Sequence, residues 1–113
     1  MKKIEAIIRP LRLEAVKTAL AESGVTGITV SDVRGSGRQG GHSSSAFRGE
    51  EYIIQLPPKI KLEIVVPEAD VEAVVTVLMD QARTGEEGDG KIFVLSALDA
   101  IRVRTGETGD SIL

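Results

Sequence analysis

The segment 83–94, with the sequence RTGEEGDGKIFV, carries the residue types best suited to holding an anion. Three glycines lie within it, and the last of them, Gly90, directly precedes Lys91. Glycine lets a ligand approach the main chain, exposed N–H groups form an anion-binding concavity, and a lysine adds a point charge that suits phosphate. The spacing differs from a nucleotide-binding P-loop, because Ile92 stands where Ser or Thr should follow the lysine. The segment is therefore interpreted as either a phosphate-binding loop or a tight turn.

Other parts of the chain carry side chains and glycines of the same kind. They are residues 35–39 (GSGRQ), Lys59 with Lys61, and Arg102 with Arg104. If Arg102 and Arg104 lie in an extended segment, both project from one face, and two guanidinium groups there would suit a polyphosphate. The alternative is a solvent-exposed face in which these arginines pair with Glu107.

The sequence contains no recognisable catalytic machinery. His42 is the single histidine and lies among glycines and serines, so it is interpreted as solvent-exposed rather than as a base or a metal ligand. The absence of cysteine excludes disulfides, thiolate catalysis and cysteine-based zinc sites. No spacing matches a zinc or EF-hand motif, so a divalent metal is expected to arrive with a phosphate ligand.

Length and composition indicate one ordinary globular domain over residues 1–113. The net charge of −3 argues against a nucleic-acid partner, and one tyrosine and two phenylalanines are too few for a base-stacking surface. No apolar run is long enough for a signal peptide or a membrane span, and the lack of cysteine is compatible with a reducing compartment. We therefore expect a cytoplasmic protein.

The apolar pattern predicts four strands and two helices. The strands are expected at 3–9, 28–33, 59–66 and 92–95, the helices at 13–20 and 71–82, and a short extended piece at 101–104. Gly24 is expected to stop the first helix and Pro67 the third strand. The order predicts an α+β, ferredoxin-like βαββαβ fold with both helices on one face of the sheet.

Two features of this arrangement, an uncovered face of the sheet and a long loop, indicate contacts with other molecules. No further helix is available to cover the second face of the sheet, which favours self-association, although antiparallel sheets often leave one polar face in water. The loop over 35–50 is long for a compact domain. It is interpreted either as a flexible insertion or as a recognition element that becomes ordered on a partner.

Along essentially its whole length, the chain resembles the PII signal-transduction proteins. Five segments carry the resemblance: 1–10 looks like their first strand, 35–42 like the base of their T-loop, 48–52 like its tyrosine signature, 84–94 like their B-loop and 101–107 like their C-loop. The last two motifs are long and specific. The resemblance places the T-loop at about 37–55, the B-loop at about 83–91 and the C-loop at about 102–113.

The resemblance implies a homotrimer whose sheets face inward and whose three clefts between subunits bind ATP or ADP competitively. Arg102 and Arg104 would reach the phosphates from the adjoining subunit. The full set of implied nucleotide-binding residues is Thr29, Gly35, Gly37, Arg38, Gln39, Glu63, Gly88, Asp89, Gly90, Lys91, Arg102 and Arg104.

The resemblance further implies that MgATP creates a site for 2-oxoglutarate. Gln39 matches the metal ligand, Lys59 matches the lysine that meets a carboxylate of the keto acid, and Gly41 matches a position in the same site. Tyr52 matches the tyrosine that some members have uridylylated. The chain departs from the common pattern at Ser36 and Gly40, where many members have an aromatic residue and a lysine, and it has one extra residue between His42 and Arg48.

The function implied is that of a non-catalytic sensor of ATP, ADP and 2-oxoglutarate, which regulates an enzyme or a membrane transporter through its T-loop. The alternative is a ferredoxin-like phosphohydrolase or weak ATPase, which would need a base and a dedicated metal site. Slow intrinsic hydrolysis of bound ATP is compatible with the sensor. An RNA-binding module is a third class, and it would need aromatic residues on the sheet.

Overall fold

In the computed structural model, which describes residues 1–37 and 55–113, the strands and helices follow one another in the order predicted from the sequence. The strands are β1 (Lys2–Ile8), β2 (Thr29–Arg34), β3 (Pro58–Val66) and β4 (Gly90–Ser96), and the helices are α1 (Leu13–Glu22) and α2 (Val71–Ala82). Single 3-10 turns lie at Pro10–Arg12, Glu68–Asp70 and Asp110–Ile112.

The strands form a four-stranded sheet in the order β2-β3-β1-β4. Every neighbouring pair is antiparallel. In the central strand β1, Ile8 lies opposite Ile60 of β3 on one side and opposite Gly90 of β4 on the other. This order and the two helices confirm the ferredoxin-like α+β fold.

The hydrophobic core lies between one face of the sheet and the two helices, because alternate strand residues and one stripe of each helix are apolar. Its buried members are Ile4, Ala6, Ile8, Val16, Leu20, Ile60, Leu62, Ile64, Val66, Val74, Leu78 and Ala82. The opposite face of the sheet carries charged residues, and there the Lys3 ammonium lies 2.8 Å from the Glu63 carboxylate and 3.1 Å from that of Glu5. No helix in the described residues covers that face.

The helix ends are set by local backbone chemistry. After α1, the N–H of Val25 donates to the Leu20 carbonyl and that of Gly24 to the Ala21 carbonyl, with Gly24 at φ 89°. These two bonds and the positive φ form a Schellman cap, which confirms Gly24 as the helix stop. No helix in the two described ranges is long and apolar enough to cross a membrane.

The prediction of an extended segment at 101–104 is wrong. Ile101 forms only an isolated bridge with Thr108, and the chain turns between them. The Arg102 N–H donates to the Glu107 carbonyl, and the Gly106 N–H donates to the Arg102 carbonyl, both at 2.8 Å. Gly106 adopts φ 73°, which lets the chain reverse tightly. Strand alternation therefore does not place Arg102 and Arg104 on a common face.

Candidate functional site

One end of the sheet gathers several of the glycines and lysines singled out from the sequence. The antiparallel register places the ends of β1 and β2 beside the starts of β3 and β4. A cleft of about 380 Å³ opens there, which we call the glycine cleft. It is lined by Ile7, Val33, Arg34, Gly35, Ser36, Gly37, Lys59, Gly88, Gly90, Lys91 and Phe93.

The predicted site residues Gly35, Gly37, Lys59, Gly88, Gly90 and Lys91 therefore lie together. Two lysines and an arginine line the cleft, and its glycines present main chain rather than side chain. Cationic groups and accessible main chain are what a polyphosphate requires. The side chains of Ile7, Val33 and Phe93 add an apolar wall, which suits the ring of a nucleotide.

Gly90 is fixed by the close approach of β1. A Cβ built at this position would lie 1.7 Å from the Ile7 carbonyl oxygen, and φ is +109°. No other residue type fits both the space and the backbone conformation. The glycine is therefore required for β4 to pair with β1 at the mouth of the cleft.

Lys59 joins β3 to the loop before β4. Its ammonium donates to the Gly88 carbonyl at 2.7 Å. An ammonium group carries three donors, so this bond leaves Lys59 able to meet a further acceptor in the cleft. Its position agrees with a lysine that would meet an anionic ligand.

The segment 84–89 is a compact loop closed by Asp89. Its carboxylate accepts the N–H of Thr84 at 2.8 Å and that of Gly85 at 3.0 Å, and it also accepts the Thr84 hydroxyl. The hydroxyl bond is the largest of the effects that hold the pKa of Asp89 well below its ordinary value; the two N–H bonds and Arg9 lower it further. The two interpretations of this segment, as a tight turn and as a phosphate-binding loop, are thus compatible, because Gly88 of the turn lines the cleft. Direct nucleotide contact by Asp89 stays a prediction.

Thr29 and Glu63 lie elsewhere in the domain. They face each other across β2 and β3 and line a separate cavity of about 660 Å³, the Thr29 cavity. Thr29 is four positions along β2 from Val33 of the glycine cleft, which is about 13 Å along a strand. The Lys3 ammonium, bonded to the Glu63 carboxylate, lowers the pKa of Glu63. The fold of a single chain therefore does not bring these two residues to the glycine cleft.

The C-terminal arginines line neither of these cavities. The Arg102 guanidinium lies 2.9 Å from the Glu107 carboxylate, which is the alternative pairing expected from the sequence. Arg104 is exposed in the turn. Within a single chain, neither arginine lines the glycine cleft.

Several predicted residues lie outside the described part of the chain. They are Arg38, Gln39, Gly41 and Tyr52, together with most of the predicted T-loop. In residues 1–37 and 55–113, no cluster of three or more His, Cys, Asp or Glu side chains could hold a metal ion. The predicted metal ligand, Gln39, remains a prediction.

Sequence reasoning missed Arg9, which bonds to the loop that Asp89 closes. Its Nε donates to Asp89 Oδ1 at 3.0 Å, and its Nη2 donates to the Glu87 carbonyl. The only available signal was an arginine directly after a strand and before Pro10, which does not reveal a partner 80 positions away.

Comparisons with known proteins decide the family. The model of the family described as nitrogen regulatory protein P-II matches residues 1–107. The chain belongs to the nitrogen regulatory P-II family. It is 50% identical over 113 residues to nitrogen regulatory protein P-II 1 of Escherichia coli K12, with all of both chains covered. It is 51% identical over 109 residues to nitrogen regulatory protein P-II of Rhizobium meliloti, with 96% of each chain covered.

A third P-II relative extends the same result. Nitrogen regulatory protein P-II of Rhodobacter capsulatus is 50% identical over 110 residues, covering 97% of both chains. P-II proteins are regulators of nitrogen signalling and not enzymes. The family resemblance is thus confirmed, and the phosphohydrolase alternative is set aside for this P-II protein.

Proposed function

We propose that this P-II protein is a sensor that binds ATP or ADP in competition, with the phosphates held in the glycine cleft. The observation that carries the proposal is the convergence of Gly35, Gly37, Gly88, Gly90, Lys59 and Lys91 around one cleft. Main chain that a ligand can approach closely, together with two lysines lining the same cleft, suits a polyphosphate better than a neutral metabolite.

The nucleotide site is proposed to be shared between subunits of a homotrimer. The predicted residues that lie away from the glycine cleft, namely Thr29, Glu63, Arg102 and Arg104, would be supplied by an adjoining copy. Exposed apolar side chains on β4 and beyond it support self-association. They include Phe93 at 48%, Leu95 at 43%, Ile101 at 66%, Leu98 at 100% and Val103 at 101% exposure.

The proposal extends to 2-oxoglutarate, bound only when MgATP is present. A dicarboxylate needs cations to offset the cost of leaving water. Lys59, which already reaches into the cleft, would supply one positive charge. Mg²⁺ would supply the other when bound, held by the nucleotide phosphates and by Gln39, with Gly41 nearby.

The output of the sensor is proposed to be regulation of a partner in the cytoplasm, either an enzyme or a membrane transporter, through the T-loop. A ligand shifts a conformational equilibrium only by the difference in its contacts with the two states. Arg38 and Gln39, at the base of the T-loop, would make such different contacts with ATP and with ADP. Tyr52 is the candidate for covalent modification.

Light scattering and calorimetry, on the wild-type protein and on two variants, test the proposal. Light scattering is expected to give the mass of a trimer, and calorimetry one ATP per subunit, displaced by ADP. Arg104→Ala should weaken both nucleotides by about 1.5–3 kcal/mol, because a hydrogen bond to a charged group is lost. Lys17→Ala on the exposed face of α1 is the control and should bind as the wild type does. A monomeric wild type, or wild-type affinity in Arg104→Ala, would contradict the shared site.

A further inference from the structure

The loop before β4 is held from two sides by ionic hydrogen bonds. From inside, the Asp89 carboxylate gathers the N–H groups of Thr84 and Gly85 and the Thr84 hydroxyl. From outside, the Arg9 guanidinium spans Asp89 Oδ1 and the Glu87 carbonyl. Arg9 comes from the turn after β1, so these bonds attach the loop to the body of the domain.

These two side chains lie beside the glycine cleft and do not line it. Asp89 lines a neighbouring groove between α2 and β4, and that groove shares Ile7, Gly90 and Lys91 with the cleft. The Arg9 and Asp89 side chains are only 30% and 24% exposed, so their pairing is partly shielded from water. Partial burial and the several hydrogen bonds to Asp89 make this pair stronger than an isolated surface ion pair.

The electrostatic consequence favours an anionic ligand. A carboxylate beside phosphate-binding glycines would repel a phosphate if its charge were not balanced. Arg9 and the loop N–H groups balance that charge locally. The same bonds fix the loop, so a ligand has less conformational entropy to remove on binding.

We propose that Arg9 and Asp89 are positioning residues that hold the loop 84–90 in its phosphate-binding shape before a nucleotide arrives. The inference rests on the proposed function, since it concerns the same site. Loss of the Arg9 bridge would lower the fraction of molecules with a competent loop, and the apparent affinity would fall by that fraction.

The test compares variants of two arginines in the same turn. Arg9→Gln should raise the dissociation constants of ATP and ADP about tenfold, because charge-assisted bonds are lost. Arg9→Lys should raise them about threefold, since an ammonium group lacks the fork that spans two acceptors. Arg12→Gln is the matched control. The Arg12 Nε donates to the Gln81 carbonyl at 2.7 Å and not to the loop 84–90, so the nucleotide affinities of this variant should stay within about twofold of wild type.

Hydrogen exchange separates positioning from general destabilisation. In Arg9→Gln, amide exchange over residues 83–89 should become faster, whereas exchange in β1 and β3 should not change, and saturating ATP should restore the loop's protection. Asp89→Asn, which keeps the shape and removes the charge, should behave in the same way. It provides a second variant should Arg9→Gln not fold.

The outcomes distinguish this inference from the proposed function. Wild-type protein that binds neither ATP nor ADP would overturn both. Wild-type binding with unchanged affinity in Arg9→Gln and Asp89→Asn, or unchanged loop exchange in them, would overturn the positioning role alone. Weakened binding with faster exchange confined to the loop would support it.

Discussion

Gly90→Ala is expected to lower the free energy of unfolding by roughly 3–5 kcal/mol, from backbone strain together with overpacking. The new methyl group would lie 1.7 Å from the Ile7 carbonyl oxygen, so either β1 or β4 must move. The displaced pairs are Ile8 with Gly90 and Ile7 with Lys91, at the mouth of the glycine cleft. Nucleotide binding should therefore weaken together with stability.

Gly24→Ala is the matched control for this effect. Gly24 also has a positive φ, +89°, but a Cβ there would meet nothing within 4 Å. Its cost should be the backbone strain alone, about 1–2 kcal/mol. Chemical denaturation at equal protein concentration measures both variants, because the stability of an oligomer depends on concentration. Equal losses in the two variants would show that the contact with Ile7 does not constrain the site.

Lys59→Gln is expected to weaken 2-oxoglutarate binding by about 1.5–3 kcal/mol in the presence of MgATP, or about 10-fold to 150-fold. The side chain keeps much of its length but loses the charge that offsets the desolvation of a carboxylate. The glutamine amide nitrogen is one bond short of the ammonium that meets the Gly88 carbonyl at 2.7 Å, so hydrogen exchange over residues 84–89 is measured in the variant as well. A loss of affinity with unchanged exchange in this loop would report the missing charge rather than a collapsed loop.

Lys61→Gln is the control, since Lys61 lies two positions further along the same strand. Its ammonium lies near the Glu63 and Glu5 carboxylates, at 3.6 and 4.0 Å, and not in the glycine cleft. Calorimetric titration of 2-oxoglutarate with MgATP, and separately with ADP, measures all three proteins. Wild-type affinity in Lys59→Gln would refute the role of this lysine. If the wild type binds the keto acid in neither titration, the protein is an adenylate sensor only.

The fold was predictable because the sequence patterns that indicate its strands and helices are local. The alternation of Ile60, Leu62 and Ile64 with charged residues identifies a strand with one buried face, and all three are buried. Gly24 marks a helix end through its own backbone preference, and the order of elements then leaves few topologies. The extended piece at 101–104 failed because four residues are too few for alternation to outweigh a turn at Gly106.

The candidate site was predictable in its residue types and not in its contacts. Glycines next to lysines indicate anion binding from residue type alone, and the fold brings several of these segments together in one cleft. The bridge from Arg9 to Asp89 joins positions 80 apart, and that from Lys59 to Gly88 joins positions 29 apart. Such pairings follow from strand register, which a single sequence does not specify to the residue.

The proposed sharing of the nucleotide site between subunits is tested most directly by mixing two defective variants. Lys91→Gln impairs the glycine cleft, and Arg104→Ala impairs the part proposed to come from the adjoining subunit. Each variant alone should bind ATP weakly at every site. When the two are co-expressed in equal amounts, about one cleft in four should combine an intact lysine with an intact arginine, because in the proposed trimer each cleft takes its lysine from one subunit and its arginine from the next subunit around the ring.

Calorimetry on the purified mixed trimers gives the result. The account predicts that about a quarter of the sites regain wild-type ATP affinity, alongside a majority of weak sites. If both residues act within one subunit, every cleft in the mixture carries one defect and no tight sites appear, which would contradict the shared cleft.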